Sequence, residues 1–356
     1  MRLASRFPPR AAPASPSPRA AEARLGPHDR ASETGKPPRS KHARLLRARR
    51  RGWRAAGEWL LERFLFLNGV AAILVIALIF LFLFRETAAA LRQIPLASWW
   101  GATEADFDGN PVYVHLWQPN GDRPKYSLLP LVLGSLLVAV PAVLIAGSIG
   151  LATGIYMAEI AGPRIRGLVK PVIELLAGIP TIVIGFFCLA TLATLLQNAT
   201  HTQFRLNAMV GAIGVSFVII PVVASLVDDS LRAVPVYLRE AAYAMGATRW
   251  ETISRVVLPA AVSGVTAALL LGMGRALGET MIVLLATGNA AQVTLNPFVS
   301  VRTMTATIAA ELGSVPKNGP WYEALFLVGG VLFTITFLLN LLAEIVIHRM
   351  RRRLAL

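Results

Sequence analysis

The sequence predicts an all-α membrane protein with six transmembrane helices. Three observations lead there. Six apolar stretches are each long enough to cross a bilayer, which takes about 20 helical residues. Hydrophobic residues make up 55% of the chain and charged residues only 15%, against about 25% charged in soluble domains. Basic residues, finally, gather in alternate connecting segments.

Residues 1–63 precede the first apolar stretch and hold 16 of the 35 Lys and Arg residues in a Pro/Ala/Arg-rich context. Such a composition cannot bury enough apolar surface to fold alone, so it reads as a disordered basic tail. No apolar core occurs before Phe64, which argues against a secretory signal peptide, although the Arg/Ser-rich start also suits an organellar transit peptide. The stretch KHARLLRARRRGWRAAGEW is suited to anionic lipid headgroups, but a plain solvated tail accounts for it too. The basic net charge of +15 is therefore concentrated in a tail and needs no nucleic acid to explain it.

The first span covers 64–84, and the loop to residue 127 follows it. A core of five further spans fills 128–350. The second, about 128–158, contains Pro141 and is expected to tilt or kink. The third covers about 171–196, the fourth 208–227, the fifth 258–287 and the sixth 324–347; residues 351–356 end the chain in a basic segment. With the N-terminus inside, the cytoplasmic segments carry 27 Lys and Arg and the opposite loops 7. That asymmetry places both termini in the cytoplasm.

The segment between spans four and five is not a plain connector. Residues 237–245, YLREAAYAM, are strong helix formers, Gly246 supplies a C-cap or bend, and 248–257, TRWETISRVV, resumes with helical spacing. Thr248 and Glu251 have capping-box spacing. Leu258-Pro259 then opens span five with proline in a first turn.

Glu240-Ala241-Ala242, three residues, Gly246, nine residues and Val256-Val257-Leu258-Pro259 resemble the EAA loop of ABC-importer permeases, with Val256 in place of the usual isoleucine. The resemblance implies the type I, MetI-like permease fold and a role for Glu240, Ala241, Ala242, Gly246, Leu258 and Pro259 in coupling to a separate ATPase. A helical hairpin lying on the headgroups is the plainer alternative. No G-x-x-x-x-G-K-[ST] occurs, so this chain is not expected to be an enzyme or to hold a cofactor; ATP and Mg belong to the partner ATPase. The glycines of GSIGLATG (147–154), and Gly274 with Gly278, read as close helix-packing positions.

Span five carries Arg275 and Glu279, four residues apart and therefore on one helix face. A charge at the bilayer centre costs ~2.5–3.5 kcal/mol, so the pair belongs toward a protein or aqueous interior. One reading is a self-satisfied pair that sets helix rotation. The other gives Arg275 a permanently charged fork for a passing oxyanion, with Glu279 limiting how tightly it is held.

GMGRALGETMIVLLATGN (272–289) resembles span five of the phosphate-specific transport permeases, and LGETMIV favours their PstC type over PstA. IELLAGIPTIVIGFF (173–187) and VRTMTATIAAELG (301–313) resemble the same family. The resemblance implies phosphate passage past Arg275 and Glu279. Glu174 is a further candidate, with an interfacial pair to Lys170 as its plainer reading. It also implies a PstA-like second permease, two PstB-like ATPases, a PstS-like binding protein, membrane lipid around the spans and a bacterial inner-membrane location. Molybdate or sulfate as cargo, a secondary carrier, and a non-transporting anchor or phosphate sensor remain the alternatives. The carrier is disfavoured because no repeated inverted halves with broken helices are visible. No His/Cys/Asp/Glu spacing suggests a metal site, and Asp228-Asp229 reads as a cap or a solvated helix end, with contact to the ATPase as a hypothesis.

Overall fold

A computed structural model describes residues 41–105, 111–120, 123–317 and 319–354. Residues 1–40 of the basic tail, and the last two of the C-terminal segment, lie outside the described residues. Two units are distinguished, Met1–Ala77 and Leu78–Leu356. The described part of the first is the beginning of helix α1 (Lys41–Gln93), whose residues 58–93 form an apolar crossing. Residues 41–63, expected to be disordered, are helical. Leu, Ala, Arg and Glu dominate LLRARRRGWRAAGEWLLER, and these residues lose little side-chain freedom in a helix.

The second unit holds the bundle. After α1 come two antiparallel ribbons, β1 (Ala102–Ala105) with β2 (Pro111–Val114), and β3 (Trp117–Gln118) with β4 (Lys125–Tyr126). Helix α2 (Leu129–Ile155) keeps Pro141 inside it and ends in a π-helical turn, Tyr156–Ile160. Span three is displaced from its expected place. Residues 163–177 form a separate helix, α3 (Pro163–Ala177), and the crossing itself is α4 (Thr181–Phe187), a π turn and α5 (Ala193–Thr200). The reason is local: Pro180 drives Ile179 out of the α region, and the chain leaves the helix at Gly178.

Helix α6 (Ala208–Arg232) starts on Asn207, whose side chain accepts a hydrogen bond from Val210 N at 3.0 Å. The next elements are α7 (Val236–Ala244), α8 (Arg249–Thr252), a π turn and α9 (Leu258–Ala260). Span five is α10 (Val262–Gly278) followed after a break by α11 (Met281–Ala286). It therefore begins beyond Pro259. The stretch 249–260 meets α10 at 69°, and a proline, lacking an N–H, cannot stitch such a junction into one straight helix. Short α12 (Met304–Glu311) and long α13 (Pro320–Leu354) complete the chain. Five helices are long and apolar enough to cross a membrane, or six if the bent pair is one span.

The core forms where α2, α6, α10 and α11 meet, with Ala142, Ala146, Ile219, Val223, Ala268 and Ile282 buried there. Glycine permits the closest approaches. A Cβ on Gly150 would lie 2.9 Å from Val223, one on Gly154 2.6 Å from Val227, and one on Gly147 2.8 Å from Leu269. The close-packing reading of this cluster holds. It does not hold for Gly278, where a Cβ would meet nothing. A second cluster joins Ile94, Trp117, Leu131, Met304, Leu325 and Val328 toward the ribbons.

Candidate functional site: a coupling elbow and a broken fifth span

The elbow is built as its residues dictate. Helix α7 ends where Gly246 adopts φ +84°, a left-handed conformation that suits glycine. Thr248 then caps α8. Its side chain accepts from Glu251 N while Glu251 Oε2 accepts from Thr248 N at 2.9 Å, a complete capping box. The Thr248 backbone N–H and hydroxyl hold the Glu251 carboxyl below its usual range. Glu240, Ala241 and Pro259 are exposed, and Ala242 and Leu258 half-buried. Between Ala242, Met245 and Gly246 on one side and Glu251, Arg255 and Val256 on the other lies an open groove of about 380 Å³. Large apolar side chains of the elbow are exposed: Met245 at 89%, on the groove itself, and Trp250 at 65%. A projection of this kind, capped and bent yet apolar on its outside, suits cover by a protein or by lipid headgroups.

Sequence reasoning missed what holds the elbow up. Arg239, the residue before Glu240, donates to both carboxylate oxygens of Glu159 at 2.8 and 3.4 Å, and to the carbonyls of Leu231 and Val234 at 2.7 Å each. Arg249 donates to the backbone carbonyl of Glu159. Asp228, read as a solvated end, is fully buried. It accepts from Arg166 at 2.8 Å and from Arg232 at 2.9 Å, with Lys170 3.6 Å away. A lone carboxylate in YMAEIAGP, at the end of an apolar span, was the available signal for Glu159.

Arg275 and Glu279 do not lie on one continuous face. Helix α10 stops at Gly278, and Glu279 is extended, with φ −69° and ψ 134°. Its carboxylate turns forward to start α11, accepting from Thr280 N at 3.1 Å and Ile282 N at 3.5 Å. Its carbonyl accepts from the Thr305 hydroxyl at 2.7 Å. Span five is thus broken where none was expected, and the carboxylate serves the backbone left open by the break. Arg275 is exposed and has no carboxylate within ion-pair distance among the described residues. The self-satisfied pair expected of Arg275 and Glu279 is therefore not formed among the described residues.

Glu174 is exposed on α3, before the crossing. No hydrogen bond or ion pair joins it to Arg275 or Glu279 among the described residues, and the expected pair with Lys170 is replaced, since Lys170 reaches Asp229 at 3.3 Å. Beyond the break the chain returns through the 301–313 segment. There Arg302 pairs with Glu311 at 2.7 Å, and the Trp117 and Trp321 indoles donate to Glu311 at 3.1 and 2.9 Å. Among the described residues no group of three or more His, Cys, Asp or Glu side chains could hold a metal ion.

Comparison with known proteins agrees with this architecture. The chain is 37% identical over 226 residues to the probable ABC transporter permease protein YqgH of Bacillus subtilis, covering 64% of this chain and 73% of that protein. It is 31% identical over 283 residues to the phosphate transport system permease protein PstC of Xylella fastidiosa (strain Temecula1), covering 74% and 87%. Among solved structures, an inward-facing MetNI methionine ABC transporter in its native crystal form shares the fold at a TM-score of 0.51 and 18% identity, covering 63% of this chain and 95% of that one. The family described as binding-protein-dependent transport system inner membrane component matches residues 150–352, from the glycine face of α2 through the elbow and the broken span into α13. With more than half of its length matched, the chain belongs to that family: it is a transport permease of the inner membrane, not an enzyme.

Proposed function

We propose that this chain forms half of the translocation pathway of an ATP-driven importer of inorganic phosphate. The PstC relatives support the cargo, and the observation that carries it is Arg275: a permanent cation, exposed on the span that the elbow leads into, with no carboxylate in ion-pair reach among the described residues. Such a fork matches the geometry of a phosphate oxyanion and binds it in two places at once. Glu279 stands one break further along. Its negative charge limits how deeply an anion settles, and a pathway needs weak capture. Glu174, exposed on the helix that precedes the third crossing, is a secondary candidate for gating.

The partners follow from the elbow. A PstB-like ATPase covers the groove and the exposed Met245 and Trp250, with Glu240, Ala241, Ala242, Gly246, Leu258 and Pro259 forming the docking segment. Two such ATPases bind ATP and Mg; a PstA-like permease supplies the other half of the pathway, and a PstS-like binding protein delivers phosphate from outside. ATP binding closes the ATPases, the elbow moves, and the bundle opens outward to receive the anion. Hydrolysis returns it inward. The excess of Lys and Arg on the elbow side and at both ends supports cytoplasmic termini.

The test is purification of the tagged chain with its partners, followed by uptake in vesicles. Phosphate, added with the binding protein, is expected to stimulate ATP hydrolysis. Arg275→Ala is expected to leave the complex assembled and to lower phosphate uptake at least about tenfold, since a hydrogen bond to a charged group contributes about 1.5–3 kcal/mol. Wild-type uptake in that variant removes the proposed role. Stimulation by molybdate or sulfate instead of phosphate changes the cargo.

A further inference from the structure

The base of α2 is held by three arginines that come from other elements. Arg232, in the last turn of α6, donates to the Met157 carbonyl at 3.1 Å. Arg239, on the first elbow helix, forks onto the Glu159 carboxylate, and Arg249, on the second, donates to the Glu159 carbonyl. The acceptors of all three arginines fall in the single π-helical turn Tyr156–Ile160. Both side chains of the ion pair are sheltered from water, Arg239 at 16% and Glu159 at 9% exposure.

We propose that Glu159 is a positioning residue for transport, the point at which movement of the elbow is handed to span two. Chain connectivity alone ties the elbow to spans four and five, which flank it in sequence. Span two is remote in sequence, 80 residues from Arg239, and the Glu159 clamp reaches it directly. The clamp is stiff because every Arg239 donor group it uses has a fixed acceptor: two carboxylate oxygens and the carbonyls of Leu231 and Val234. Helix α7 cannot move far without taking the foot of α2 along. Above that foot, Gly150 and Gly154 press α2 against Val223 and Val227 of α6 without room for a methyl group, and Gly272 of α10 lies nearly as close to Ile219 of α6. A displaced α2 is therefore expected to shift α6 and, through it, α10 with Arg275. Interiors packed this closely transmit displacement well.

This inference rests on the ATP-driven reading above, and the experiment separates the two. The assembled complex, with binding protein, is placed in vesicles, and phosphate imported per ATP hydrolysed is measured. In Glu159→Gln the complex is expected to hydrolyse ATP near the wild-type rate while phosphate carried per ATP falls about tenfold, the size of an ordinary coupling between sites. Arg239→Lys, which keeps the charge but loses the fork, is expected to fall between the two. A wild-type ratio in both variants overturns the proposal. So does a proportional fall of uptake and hydrolysis together, because that marks a staple holding the fold. Should Glu159→Gln fail to assemble, the ratio in Arg239→Lys decides. If the wild-type chain recovers no ATPase, the reading beneath has failed, and this shows before any variant is made.

Discussion

Gly154 and Gly167 carry the same side chain in opposite surroundings. A Cβ on Gly154 would sit 2.6 Å from Val227 and 3.0 Å from the Ala224 carbonyl, whereas one on Gly167 of α3 would meet nothing within 4 Å. Gly154→Ala is therefore expected to destabilise the subunit by about 1–3 kcal/mol, the range for overpacking a close-packed contact. Gly167→Ala is expected to raise stability by up to about 1 kcal/mol through the helix propensity of alanine. Thermal unfolding of the two purified variants in detergent checks both signs. That Arg275 calls for an explanation was legible at this scale, because a guanidinium in an apolar run needs a reason. The fate of Glu279 was not. Spacing of four residues implies a shared face only while the helix continues, and the chain leaves the helix after Gly278.

The elbow is the element that the sequence described best. The bend at Gly246 and the capping box of Thr248 and Glu251 both follow from residues within a few positions of each other, and both occur. Thr248→Val removes the cap and is expected to cost about 1 kcal/mol of local helix stability. Hydrogen exchange of the amides in 249–257 is expected to quicken, with those of α6 unchanged; equal protection in the variant removes the role of the cap. Two element boundaries were hidden. Span three was expected to begin about ten residues early because hydropathy runs smoothly through Gly178-Ile179-Pro180, and only backbone sterics stop the helix there. The junction after Pro259 was hidden likewise, since the 69° bend depends on how α10 seats against α6, where a Cβ on Gly264 would lie 2.3 Å from Ser230 Oγ.

For the whole molecule, the distribution of Lys and Arg makes a statement about sidedness that labelling can check. Met245 stands exposed on the elbow, Ser314 is exposed in the loop before α13, and native Cys188 is fully buried and contributes little background. In intact cells an impermeant thiol reagent is expected to label Ser314→Cys and to leave Met245→Cys unlabelled until the membrane is opened. The reverse pattern inverts the topology and moves the elbow away from any cytoplasmic ATPase.

The sequence by itself determined the class of molecule, its many-span character, the elbow and the resemblance to phosphate permeases. These rest on hydropathy, charge counts and contacts between near neighbours, all of which survive being read along a line. Only the tertiary structure decided that Glu159 clamps Arg239 across 80 residues, that Asp228 lies buried among Arg166, Lys170 and Arg232, and that Arg275 stands without Glu279. Partners of a charged group are set by which helix ends the bundle brings together. That depends on how the helices pack, and no local spacing encodes it.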